Sequence, residues 1–282
     1  MTTSTPTLTF NDGHTIPQLG YGVWQVEDGV AEKVVRQAFE AGFRHIDTAK
    51  IYGNEAGVGR AIASSGLCAE EIFITTKLWN ADQGYAATLA AFEESLDRLG
   101  LETLDLYLIH WMQPRQDKYV DTWKALIELQ KRGRVRSVGV SNFTVEGLQR
   151  LIDETGVVPA IHQIELHPYF SQRELREFGA SRGILTQAWS PLGQGGELLE
   201  DATVAAIAAK HQATPAQVVI AWHLAVGNVV IPKSVTESRI RENFAALEIS
   251  LDAGDVEAIN GLDRSAGGVG RIGPDPAVSD FT

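Results

Sequence analysis

The stretch KRGRVRSVGVSN, residues 131–142, decides the fold. It carries one helical pattern, YVDTWKALIELQKRG, straight into a β-rich run that leaves on Ser141 and Asn142. Gly133 tolerates the left-handed conformation that stops a helix, and the strand follows with no linker. The same join recurs at EAGFRH, RLGLET and SRGILT. Working outward, β-rich runs fall at LGYGVW (19–24), RHIDTA (44–49), IFITTKL (72–78), LDLYLIH (104–110), AIHQIEL (160–166), ILTQAWS (184–190) and NVVIPKS (228–234). Between them lie helical patterns such as GVAEKVVRQAFEAG, GYAATLAAFEESLDRLG and TPAQVVIAWHLAVG.

Strands dense in Val, Ile and Leu, separated by amphipathic helices, predict a parallel sheet covered on its faces. Eight such units predict a closed (β/α)8 barrel of the TIM type, with residues 1–282 as one domain. The opening TLTFNDGHTIPQL predicts a β-hairpin turning at Asp12 and Gly13 and closing the barrel floor. From Asp263 to Thr282 the chain predicts a loop-like tail. That tail contains a G-x-G-x-x-G match at Gly268, Gly270 and Gly273, the mark of a doubly wound dinucleotide fold. No strand precedes it, and Pro274 and Pro276 stand where the phosphate-binding helix would begin. We read the match as chance.

Composition narrows the function. A formal net charge of -12 argues against a generic nucleic-acid or anionic-membrane surface. The single cysteine, Cys68, excludes an intrachain disulfide and a cysteine-rich metal site. The N-terminal residues lack a signal-peptide pattern, and no apolar run reaches the roughly 20 residues of a membrane span. A soluble, cytoplasmic, monomeric protein is expected. His162, Glu165 and His167 raise the idea of a metal, but strand alternation puts the two histidines on opposite faces, so no metal is expected.

In a parallel barrel the C-terminal strand ends share one rim, and that rim carries the active site. Three neighbouring strands leave their apolar runs on Asp47, Lys77 and His110, and Tyr52 lies in the loop after the first of these. Strand geometry favours Lys77 over the nearer-in-sequence Lys50 as the partner of Asp47 and Tyr52. A free tyrosine has a pKa of roughly 10. A neighbouring ammonium is expected to lower it, so that Tyr52 can protonate a carbonyl oxygen while His110 orients that carbonyl.

The remaining exits predict a dinucleotide site. Ser141, Asn142 and Gln163 suit a carboxamide and Trp189 suits a flat ring. The run SPLGQGG, with Ser190, Leu192 and Gly193, offers backbone N–H groups to a pyrophosphate. Lys233 and Ser234 precede a helix whose Arg239 and Asn243 share one face, a candidate phosphate clamp. Trp24, Trp79 and Trp111 at three strand exits predict a flat-walled substrate cleft. Trp123 and Trp222, inside helices, are expected to pack.

The segments GYGVWQ, HIDTAKIYGNE, TTKLWN, YLIHW, VGVSNF, QIELHP, WSPLGQG and IPKS…R…EN occur in an order that resembles the aldo-keto reductases over nearly the whole chain. The bacterial subgroup typified by 2,5-diketo-D-gluconate reductase is the most similar. The resemblance implies reduction of aldehydes and ketones with NADPH, NADH serving less well, by a tetrad of Asp47, Tyr52, Lys77 and His110. It further implies that Ser141, Asn142 and Gln163 hold the nicotinamide carboxamide and that Trp189 stacks on the ring. Lys233, Ser234 and Arg239 would face the 2′-phosphate, Glu242 and Asn243 the adenine, and the tail would cover the pocket. His162, Met112 and Lys50 depart from the family pattern. Two rivals stand beside this reading: a Schiff-base aldolase using Lys77, and a non-catalytic dinucleotide-binding barrel.

Overall fold

Gly133 has φ +70°. Its N–H bonds to Gln130 O and the N–H of Arg134 to Leu129 O, which closes the helix and releases the chain into a strand at Val135. The computed structural model, which describes residues 5–281, repeats this unit around a barrel. An antiparallel hairpin of β1 (Thr7–Thr9) and β2 (Thr15–Pro17) comes first, with Asp12 and Gly13 in its turn. Eight parallel strands follow in spatial order: β3 (Tyr21–Gly22), β4 (His45–Asp47), β5 (Phe73–Leu78), β6 (Leu104–Ile109), β7 (Val135–Ser141), β8 (Ile161–Glu165), β9 (Leu185–Trp189) and β10 (Val229–Val230). The cylinder closes where Gly20 N–H meets Val230 O at 2.8 Å, Val230 N–H meets Gln18 O at 2.9 Å and Gly22 N–H meets Pro232 O at 3.2 Å.

The helices are α1 (Asp28–Ala41), α2 (Glu55–Ser64), α3 (Tyr85–Leu99), α4 (Tyr119–Lys131), α5 (Val145–Thr155), α6 (Arg173–Ala180), α7 (Ala202–His211), α8 (Pro215–Ala225), α9 (Glu237–Ala245) and α10 (Ala253–Asn260). Among the described residues no helix is long and apolar enough to cross a membrane. The first and last barrel strands are shorter than their sequence runs. After Gly22 the N–H of Val26 turns back onto Val23 O, and Gln25 takes a left-handed φ of 57°, so Trp24 leaves the sheet. After Val230, Pro232 has no N–H to give a ladder.

Alternation along each strand sorts the core into two parts. Ile46, Ile74, Tyr107, Ile109, Val138, Val140 and Ile164 point outward and pack under the helices with Trp123. Phe73, Leu106, Leu108, Ile161 and Val229 point inward and close over Phe10 and Ile16 of the hairpin. Each such side chain stabilises by about 1.5–3 kcal/mol. The hairpin is therefore an apolar plug for the floor, and above it the inward positions turn polar.

Two predictions follow from this packing. Gly139 lies inward on β7, where an added Cβ would come 2.6 Å from Ile161 O and 2.9 Å from Leu108 Cδ2. Gly139→Ala should destabilise by about 1–3 kcal/mol, read as a lower denaturant midpoint. Burial also pushes His45, His162 and His223 down to about 3. In an unfolded chain each would charge near pH 6.5. Between those values the unfolded state binds more protons, so stability present above about pH 6.5 is lost as pH falls toward about 3. Each histidine should contribute a slope on the order of 1 kcal/mol per pH unit. A melting-temperature series from neutral to acid pH should show this loss, and His162→Gln should flatten it. An unchanged slope in that variant would show that His162 is not one of the groups responsible.

Candidate active site

Inward parity places Asp47, the last residue of β4, and Lys77 on β5 side by side above the apolar floor. Lys77 Nζ donates to Asp47 Oδ1 at 2.5 Å and to Thr48 O at 2.8 Å, and lies 3.4 Å from the Tyr52 hydroxyl. Both ionic side chains are buried, Lys77 completely. The other carboxylate oxygen, Asp47 Oδ2, accepts from Gln163 Nε2 at 2.8 Å and Gln187 Nε2 at 3.5 Å. Lys50, by contrast, turns away to pair with Asp82 at 2.9 Å and Glu94 at 3.1 Å. Sequence proximity to Tyr52 counts for less than strand parity.

Burial pushes the Asp47 carboxyl above the usual range, against the Lys77 ammonium and the two amides. For Lys77, burial alone would lower the pKa, but Asp47 and Tyr52 outweigh it and hold the ammonium above its ordinary value. Tyr52 corrects the sequence reading. Its pKa is raised, because desolvation of the phenolate exceeds the pull of Lys77, and Asp47 adds to the rise. Tyr52 therefore keeps its proton until an acceptor arrives. His110, just past β6, is pushed well below the usual histidine value by burial and then by Lys77, so it is neutral. Its ring meets Tyr52 edge-on at 5.6 Å and Trp79 at 5.4 Å, and its Nδ1 is buried with no partner.

Asp47, Tyr52 and His110 open into a cavity of about 1060 Å³ that is also lined by every residue predicted for a cofactor except Gly193. Asn142, after β7, has φ +56° and Ser190, after β9, φ +48°, left-handed strain at two rim positions on either side of β8. Asn142 Nδ2 donates to His110 O at 3.0 Å and to Ser141 Oγ at 2.9 Å, while its Oδ1 accepts from Trp189 Nε1 at 2.8 Å. Amides, hydroxyl and indole thus form one rigid wall. Lys233, Ser234, Arg239, Glu242 and Asn243 line the far end of the cavity. Ser234 Oγ also accepts the N–H of Thr236 at 3.1 Å, just ahead of α9, and Glu242 accepts from Thr214 Oγ1 at 2.7 Å. Arg241 on the same helix pairs with Glu237 instead.

The glycine-rich run differs from its expected use. Leu192, Gln194 and Gly195 line the cavity, but Gly193 does not; it packs on Leu198. The N–H groups of Gly193, Gly195 and Gly196 are taken by turns onto Ser190, Leu192 and Gly193, so the run has fewer free donors than its composition promised.

Trp24, Trp79 and Trp111 line the same cavity, with Trp24 the exposed member. Two contributors escaped the sequence reading. Phe281 packs on Trp79 and Trp111 with ring centroids 5.9 and 5.0 Å away, and its carbonyl accepts from Asn80 Nδ2 at 2.8 Å. Gln187, the inward residue two positions before Trp189, joins Asp47; strand alternation could have found it. Of the departures from pattern, none lines the cavity. His162 Nε2 accepts the N–H of Phe143, and Met112 fills the space above Gly147. Among the described residues no group of three or more His, Cys, Asp or Glu could hold a metal ion.

A profile described as the Aldo/keto reductase family matches residues 18–264. The chain is 54% identical over 277 residues to an aldo-keto reductase of Mycolicibacterium smegmatis, covering 98% of this chain and 99% of that one. It is 48% identical over 270 residues to the methylglyoxal reductase DkgA of Escherichia coli, covering 95% and 96%. The crystal structure of a Gox0644 variant in complex with NADPH superposes with a TM-score of 0.94 at 50% identity, covering 99% and 100%. With its barrel, its rim and this degree of likeness, the chain belongs to the aldo/keto reductase family of oxidoreductases.

Proposed function

We propose that this enzyme reduces small aldehydes, dicarbonyls or keto-sugar acids to alcohols with NADPH, Tyr52 serving as the acid. The observation that carries the reading is the chain Asp47–Lys77–Tyr52, which runs from the fully buried Lys77 up to Tyr52 in the wall of a cavity that also holds His110. The cavity's donor set fits a dinucleotide phosphate: amides for a carboxamide, an indole for a flat ring, Lys233 and Arg239 for a phosphate. When bound, NADPH supplies the hydride that reaches the carbonyl carbon. Tyr52, protonated by virtue of its burial, gives its hydroxyl proton to the carbonyl oxygen as that oxygen gains charge. Lys77, 3.4 Å from the phenol oxygen, stabilises the phenolate left behind, and Asp47 keeps Lys77 charged and aimed. Neutral His110, its ring edge-on to the phenol, helps to orient the carbonyl. The indoles of Trp79 and Trp111 with Phe281 present flat apolar walls, which suit a compact carbonyl compound.

The DkgA relative is named a methylglyoxal reductase, and methylglyoxal is the substrate we would offer first. The aldolase rival is disfavoured by the raised Lys77 pKa, because a lysine that stays protonated is a poor nucleophile. NADPH oxidation across aldehydes, glyoxals and keto-sugars is the test. Tyr52→Phe should lower kcat by about 10²–10⁴-fold while NADPH binding persists. Turnover that survives the loss of this hydroxyl would mean that another group is the acid. Borohydride in the presence of substrate should leave Lys77 unmodified by mass, and a trapped adduct there would establish the aldolase. Tight NADPH binding with no turnover on any carbonyl would favour the binding protein.

A further inference from the structure

The three glycines that mimic a dinucleotide fingerprint lie in the tail, and the structure gives two of them, Gly270 and Gly273, a different use. Glu165, the last residue of β8, is buried. Its Oε1 accepts the backbone N–H of Ile272 at 2.6 Å and its Oε2 that of Gly273 at 2.8 Å. His167 Nε2 lies 3.2 Å from the same carboxylate. A carboxylate taken out of water is costly unless its lone pairs are filled, and here the tail backbone fills them. Gly270, at φ +99°, comes so close to Tyr169 O that no side chain fits, and Arg271 lies 4.7 Å over the Phe170 ring. Gly273 has a different neighbour: an added Cβ would fall 2.5 Å from Trp189 Cη2 and 3.1 Å from Glu165 Oε2. Beyond it the tail crosses the mouth to the β5 and β6 side, where Arg115 pairs with Asp280 and Asn80 holds Phe281.

We infer that Glu165 is a positioning residue for the nicotinamide shelf: by gripping the Ile272 and Gly273 amides it presses the tail against the edge of Trp189. The inference rests on the proposed role of Trp189. The indole is fixed at two places, by its Nε1 bond to Asn142 and by the backbone of Gly273 against its six-membered ring. A loosened grip lets the second support retreat, and an unsupported indole offers a less ordered surface to a ring stacked on it. Only glycine lets the tail backbone come so near, which explains Gly273. Gly270 and Gly273 of the G-x-G-x-x-G run are thus strap-docking positions in this chain.

Two readouts test this in the full-length protein. Amide hydrogen exchange without cofactor should show Ile272 and Gly273 protected in the wild type and exchanging faster in Glu165→Ala. NADPH titration should show Kd raised about tenfold in Glu165→Ala, the size expected for losing hydrogen bonds to a charged group. Glu165→Gln, which retains one carbonyl acceptor, should fall between. Gly273→Ala, with Glu165 intact, should reproduce the rise in Kd by displacing the indole directly, while its melting temperature and that of Glu165→Gln stay near the wild-type value. Unchanged exchange and unchanged Kd in both Glu165 variants would overturn the inference. So would a raised Kd in those variants with none in Gly273→Ala, because Glu165 would then act by another route. Trp189→Ala separates the two readings. If it leaves NADPH Kd unchanged, the shelf itself is wrong and this inference falls with it. If it raises Kd, the shelf stands and the Glu165 and Gly273 variants alone decide.

Discussion

The buried pair of Asp47 and Lys77 constrains everything above the barrel floor. Removing an ammonium and a carboxylate from water costs several kcal/mol for each, and their attraction offsets that only when the remaining donors and acceptors are matched. Here Thr48 O accepts a hydrogen bond from the ammonium, and Gln163 and Gln187 donate to the second carboxylate oxygen. The contributing residues stand on β4, β5, β8 and β9 or just beyond them. A slip of one residue on any of these strands would turn its side chain to the helix side and leave a charge unmatched. Barrel register and active-site geometry are therefore one property. Losing either partner would leave the other charge buried alone, at about 3–5 kcal/mol, a large part of a typical domain's stability.

That constraint also explains how Tyr52 can be an acid. A tyrosine placed beside an ammonium in water would titrate lower, which is the intuition the residue types invite. In the folded chain the phenol lies half-buried beside the fully buried Lys77, and desolvation of the phenolate dominates. In the proposed mechanism the ammonium acts on the charge that develops as the proton departs, rather than by ionising the resting enzyme. His110, kept neutral by burial and by the same Lys77, can approach the oxygen without adding a second cation to the site.

Much of this was legible in the residues because it depends on period and parity. The helix stop at Gly133 and the exit of β7 at Ser141 are local events, and the preference for Lys77 over Lys50 needed only the two-residue repeat of a strand. What could not be read depends on contacts without a period. Glu165 meets Ile272 across 107 positions, and Asn80 meets Phe281 across 201; the tail has no helical or strand repeat to announce either. Strand length was misjudged at 19–24 and 228–234, since apolar composition persists after the ladder stops at Gly22 and Val230. The donor supply of the SPLGQGG run was overestimated because tight turns consume N–H groups that composition counts as free.

The positions where this chain departs from its relatives' pattern can now be placed. Lys50 ties the turn just before Tyr52 to Asp82 and to Glu94 on α3, from outside the cavity. Such half-exposed pairs contribute less than about 1 kcal/mol each, but two on one ammonium restrict the loop that carries the acid. His162 accepts the N–H of Phe143, the residue following the strained Asn142, so its buried, neutral ring helps to hold the left-handed rim position. Met112 packs over Gly147 at the start of α5, where an added Cβ would collide with its sulfur. Each departure lies one layer behind a group that faces the cavity. On the proposed mechanism their effect passes through the placement of Tyr52 and Asn142, and the cavity wall at the mouth is left to the indoles and Phe281.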